Sequence, residues 1–250
     1  MNSIDGLSRL VFTGAIGKPK LLTRKIMNMT DVKQAVYEVY KSPSIIARRM
    51  SGRANINVYP ILDQISCKIF SYFNATPNTA LTQTNYDEFL YDLCEYFKDE
   101  YNKQAIIAKI KMIEFGIAQK LINMVLKYLS CYEDYNVFAD LFMYCHMPID
   151  SYVLHYFNHR GIVSKIKSRF SSSSRSPSAW FCGTTWSNLS EGEYKELVTE
   201  YSTNLAISYP DYTSLHEEYY IWSMVKSRTI GPIIFVPSSL LPGLKTSFHR

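Results

Sequence analysis

Glycine and proline are scarce in this chain, ten of each in 250 residues, which excludes collagen-like repeats and low-complexity disorder. No apolar run approaches the roughly 20 residues that a membrane-spanning helix needs. Asp5, Arg9 and Lys18 interrupt the apolar N-terminal stretch, so neither a membrane span nor a signal peptide is expected. The five cysteines, at positions 67, 94, 131, 145 and 182, form an odd set with no Cys-x-x-Cys pair. That disfavours a disulfide framework, a zinc ribbon and an iron–sulfur cluster, and no metal or other cofactor is expected. The expectation is a soluble, cytoplasmic protein with reduced, buried thiols. Aromatic side chains, by contrast, are plentiful: 20 Tyr, 13 Phe and 3 Trp.

The formal net charge is only +5, but it is unevenly spread. Residues 1–60 carry ten Lys/Arg against Asp5, Asp31 and Glu38, whereas residues 61–100 carry seven acids against Lys68 and Lys98. Residues 151–190 hold Arg160, Lys165, Lys167, Arg169 and Arg175 with no acid. Such polarity suits a polyanionic partner, although ordinary solvated faces produce the same pattern.

Helical periodicity dominates. Apolar residues recur at three- and four-residue spacing over 32–41, 58–73, 86–101 and 104–115. Thr30 and Asp31 are read as a cap for the first of these, and Asn85 for the third. Ile117, Leu121, Met124, Val125 and Tyr128 then form one apolar stripe on a helix beginning just after Gly116. Segments near 135–144, 150–157, 191–205 and 214–227 are also read as helices, 230–237 as a short extended stretch, and 170–178 as a Ser/Arg/Pro loop. No repeat of 20–50 residues is visible. The fold expected is a single all-α domain over 1–250, in two helical lobes, with the functional segment at about 104–157 and C-terminal helices at about 190–227.

The residues with chemical potential lie between Glu114 and Val153. A helix ends at Glu114 and Phe115, a Gly-centred turn follows over Gly116, Ile117 and Ala118, and Gln119 and Lys120 open the amphipathic helix. Thirty residues after Lys120 comes the run Pro148-Ile149-Asp150. Backbone N–H groups at such a turn make an anion site, so those of Gly116, Ala118 and Gln119 are candidates for holding a phosphate. Read singly, Lys120 is a surface charge and Asp150 is the N-cap of the helix that follows.

Together these segments resemble the helix-hairpin-helix DNA glycosylase superfamily, whose hairpin reads L-P-G-V-G-x-K and whose second motif reads V-P-V-D-T-x-V. Gly116, Ile117, Ala118, Gln119 and Lys120 stand on the hairpin motif; Met147, Pro148, Ile149, Asp150 and Val153 stand on the second. The long Lys-to-Asp gap is most similar to the archaeal 8-oxoguanine DNA glycosylase branch. Glu114 and Phe115 replace Leu-Pro, and Ala118 replaces the second Gly, which weakens the backbone grip on phosphate. A softer likeness to uncharacterised relatives continues at Trp186, Ser187, Glu193, Tyr194, Glu218 and Trp222.

The resemblance implies an active-site cleft between the lobes and a monomeric enzyme acting on double-stranded DNA that carries a modified base. Asp150 would stabilise the oxocarbenium-like sugar, and Lys120 would attack C1′ to give a Schiff base followed by strand nicking. Lys127 is a further candidate phosphate contact, and Tyr152, Trp180, Phe181, Trp186 and Trp222 are candidates for stacking on a flipped base, with core packing the rival role for each. The implied substrate is an oxidised purine such as 8-oxoguanine or a hypermodified phage base such as glucosylated hydroxymethylcytosine. The rival readings are a non-catalytic helix-hairpin-helix DNA-binding module and an all-α interaction domain.

Overall fold

The computed structural model describes residues 6–42, 56–75, 81–150, 153–154, 157, 186–208, 213–215, 217–219 and 221. These are all-α: no strand occurs among the described residues. The described α-helices are α1 (Gly6–Ala15), α2 (Met29–Lys41), α3 (Tyr59–Ala75), α4 (Gln83–Ala108), α5 (Phe115–Leu129), α6 (Ala139–Phe142) and α7 (Glu191–Ser208), with 3-10 turns at Pro19–Thr23, Tyr135–Phe138 and Trp186–Asn188. Among the described residues no helix is long and apolar enough to cross a membrane.

Helix α5 is the centre of the fold. It packs against α2, α4, α7 and the 3-10 turn at Trp186. Leu121, Ile122, Val125, Leu126 and Leu129 are wholly buried, and each contributes about 1.5–3 kcal/mol relative to exposure. Far from showing a single apolar stripe, α5 is buried almost all round. Its polar residues Gln119, Lys120, Asn123 and Lys127 are therefore inside as well, and each needs a partner there.

Local signals place most helix ends, with shifts. Asn28 rather than Thr30 caps α2, its side chain accepting from the Thr30 N–H at 3.0 Å. Thr82 rather than Asn85 caps α4, accepting from the Asn85 N–H at 3.1 Å. The helix expected over 104–115 is not separate: α4 runs on to Ala108 and stops at Lys109, whose φ of 54° is left-handed. Non-glycine residues adopt that conformation at a cost, and here it ends the helix. The following loop is held by Asn102, whose carboxamide accepts from the Ile113 N–H at 2.8 Å and donates to the Ile113 carbonyl at 2.9 Å.

Helix α1 is tied to the far end of α5 by Arg9. Its guanidinium donates to the Cys131 carbonyl at 2.9 Å and lies 3.7 Å from the Tyr135 ring centroid. Tyrosines supply much of the interior, with Tyr86, Tyr101, Tyr132 and Tyr194 among the largest fully buried side chains.

Candidate active site

The turn expected at 116–118 lies instead at 109–114, and Gly116 sits inside the first turn of α5. Its glycine identity has a packing cause: a Cβ there would come within 1.9 Å of the Trp186 carbonyl oxygen. The Gly116 N–H donates to the Leu189 carbonyl at 2.8 Å, so the 3-10 turn at Trp186–Asn188 supplies by tertiary contact what a side-chain cap would otherwise give. Glu114, the N-cap residue, makes no side-chain cap bond.

This setting corrects the expectation that Gly116, Ala118 and Gln119 hold a phosphate. All three are buried, and the Gly116 N–H is already bonded to protein. Gln119 works inward instead. Its Nε2 donates to the Ile149 carbonyl at 2.7 Å and to the Gly116 carbonyl at 3.0 Å, while its Oε1 accepts from the Ile149 N–H at 3.1 Å. One carboxamide thereby satisfies both backbone groups of the residue immediately before Asp150.

Lys127 also departs from expectation. It is not a phosphate contact but is sealed in the core, paired with Glu218, its Nζ 4.1 Å from the Phe12 ring centroid and 4.7 Å from that of Tyr219. Burial pushes the Glu218 carboxyl above its ordinary range; the Lys127 charge opposes that shift, and the more distant Asp150 adds to it.

Lys120 and Asp150 do come together. Lys120 Nζ donates to Asp150 Oδ2 at 3.2 Å, and the ammonium lies 4.5 Å from the Trp186 ring centroid. The Lys120 side chain is 7% exposed and that of Asp150 is 17%. Lys120 is thus not a surface charge. Asp150 does act as a cap, its Oδ1 accepting from the Val153 N–H at 3.1 Å while its backbone carbonyl accepts from the Leu154 N–H at 2.9 Å. Each oxygen of the carboxylate therefore has its own task, and the helix start aims Oδ2 at the lysine. A positive charge beside an electron-rich indole face is attracted by the ring quadrupole, so Trp186 both covers and orients the ammonium.

Of the proposed stacking residues, Trp186 is buried over Lys120, while Tyr152, Trp180, Phe181 and Trp222 lie outside the described residues, as do the basic stretch 160–175, the loop 170–178 and the extended stretch 230–237. Among the described residues no group of three or more His, Cys, Asp or Glu is arranged to hold a metal ion.

Sequence reasoning missed a buried polar chain behind the site. His146 Nε2 lies 2.9 Å from Asp87 Oδ1, and His146 Nδ1 lies 3.0 Å from the Tyr194 hydroxyl. Asn123 Nδ2 donates to that hydroxyl at 2.9 Å and to Gln119 Oε1 at 3.2 Å. The available signal was the four-residue spacing of Gln119 and Asn123, which puts two amides on one face of a helix. No protein-family model, curated protein or solved structure matches the chain.

Proposed function

We propose that the chain is a DNA glycosylase with associated strand-nicking activity, and that Lys120 and Asp150 are its catalytic residues. The observation that carries this reading is the 3.2 Å contact between a buried lysine and a carboxylate thirty residues away, with an indole ring over the ammonium. A lysine amine held beside a carboxylate is the equipment for imine chemistry on a sugar carbon.

In the reaction, the Lys120 ammonium passes a proton to Asp150, and the freed lone pair attacks C1′. The C1′–N bond breaks, and the base leaves with the bonding pair and takes up a proton. Asp150 hands the lysine's proton to the departing base, and the carboxylate this restores stabilises the positive charge on the sugar. Ring opening leaves an imine on Lys120, and loss of the C2′ proton expels the 3′ phosphate oxygen. Because the pair is nearly covered, the duplex reaches it by displacing the Trp186 ring, and the more exposed carboxylate marks the direction of entry.

The phosphate-gripping module is the weaker reading, because the Gly116 N–H it needs is bonded to Leu189 and Lys127 is committed to Glu218. Borohydride trapping on abasic, oxidised-purine and glucosylated-hydroxymethylcytosine duplexes tests the proposal, with released base scored by mass spectrometry. A covalent adduct lost in Lys120→Ala supports it. Absence of both adduct and released base across that panel overturns it.

A further inference from the structure

We infer that Asp87, His146, Tyr194, Asn123 and Gln119 form one directed hydrogen-bond chain that positions Asp150 against Lys120, with Tyr194 and His146 as positioning residues for the reaction proposed above. The inference rests on that reading for its kinetic arm, but the geometry is independent of it. The chain runs from a partly exposed carboxylate on α4, through α7 and α5, to the backbone next to Asp150.

Donor and acceptor roles fix the direction. The Asp87 carboxylate only accepts, both from Gln83 Nε2 at 2.7 Å and from His146 Nε2 at 2.9 Å, so the imidazole hydrogen is on Nε2. In the neutral ring Nδ1 then accepts, and the Tyr194 hydroxyl must be its donor. That leaves the hydroxyl oxygen free to accept from Asn123 Nδ2, whose second hydrogen goes to Gln119 Oε1. Gln119 Oε1 accepts from the Ile149 N–H, and its Nε2 donates to the Ile149 carbonyl. With that tautomer each link from His146 to Gln119 pairs one donor with one acceptor, while Gln83 Nε2 lies 3.2 Å from His146 Nε2 and Asn123 Oδ1 is buried without a hydrogen-bond partner.

Packing alone does not require this arrangement. Burying a tyrosine hydroxyl, two carboxamides and a histidine carries a desolvation cost that their mutual hydrogen bonds only partly offset, and an apolar set of the same shape would fill the space. The chain ends on both backbone atoms of Ile149, one residue before the carboxylate whose Oδ2 meets Lys120. A small misplacement of reacting groups costs up to about 100-fold in rate, so a clamp at that residue has a catalytic use.

The test uses the full chain. Tyr194→Phe removes one hydroxyl and is expected to lower kcat for base release about tenfold with KM for the duplex unchanged. His146→Asn keeps an acceptor for that hydroxyl and is expected to retain most of the rate that His146→Leu loses. Independently of any DNA, the Lys120 Nζ resonance of lysine-labelled protein is expected to move in Tyr194→Phe, while that of Lys127 stays in place. If the wild type releases no base, the glycosylase reading fails and the NMR arm still decides the positioning role. An unmoved Lys120 Nζ resonance in a folded Tyr194→Phe overturns the inference. Should that variant not fold, long-range 1H–15N spectra of the wild type decide: hydrogen on His146 Nδ1 in the neutral ring overturns it, and hydrogen on Nε2 supports it.

Discussion

Two buried lysines of α5, seven residues apart, each pair with a carboxylate from elsewhere in the chain, and the two pairs are built for different ends. The pair Lys127–Glu218 is closed, its side chains 1% and 5% exposed and its ammonium held between Phe12 and Tyr219. The pair Lys120–Asp150 reaches the surface through its carboxylate, and its acid is anchored by a helix start rather than by rings. Charge pairing is common to both. What separates them is access and the second task of the acid: Glu218 balances a charge in the core, whereas Asp150 is a fixed acceptor at the edge of a covered site.

Mutating each lysine breaks this comparison most strongly. Lys120→Ala should lower base release by about 10³-fold or more, the scale at which nucleophile loss acts, while the far-ultraviolet dichroism and thermal midpoint stay near wild type. Lys127→Ala should instead destabilise the fold by about 3–5 kcal/mol, because it strands a buried carboxylate. Replacing both partners, as Lys127→Met with Glu218→Leu, should recover most of that loss in urea unfolding. A Lys127→Ala protein as stable as wild type would show that the closed pair does not hold the core.

Gly116→Ala sharpens the comparison from the backbone side. The added methyl meets a carbonyl oxygen rather than a flexible side chain, so α5 and the Trp186 turn must separate at a cost of about 1–3 kcal/mol. Trp186 fluorescence should shift as the indole leaves Lys120, and an unshifted spectrum would contradict the contact. Because the Lys127 end is far along the helix, Lys127–Glu218 should be untouched.

The smallest effects are in pH dependence, where two carboxylates act with opposite sign. Burial would raise Glu38, but hydrogen bonds from Arg24, Lys18 and Gln34 outweigh it and bring the group down to about 2. Its contribution is present in full above the ordinary range near 4.5 and is lost as pH falls toward 2. Glu218 is raised, so its contribution declines as pH climbs through the ordinary carboxylate range toward its folded value. Urea midpoints measured from pH 2 to 8 should show Glu38→Gln flattening the acid limb and Glu218→Gln flattening the opposite one.

Part of this was legible in residue order. The three- and four-residue periodicities mark the helices, and Asp150 reads as a helix start because capping is a contact over three residues. The length of α4 was not legible, since its end depends on Asn102 reaching Ile113 eleven residues away. Nor was the fate of Gln119, which reads as a turn residue near phosphate but is drawn inside by Ile149. Glu218 is a modest acid in a C-terminal helix until its partner is known to be Lys127.

Helical content and the approximate helix limits follow from order alone, because hydrogen-bonded turns and caps are made between neighbours. Packing alone determined which lysine meets which acid, that Gly116 admits a carbonyl rather than an anion, and that a chain of amides, phenol and imidazole stands behind Asp150. Those contacts join residues 30, 71 and 48 positions apart, and a polar side chain pays for burial only when the fold brings its partner to it.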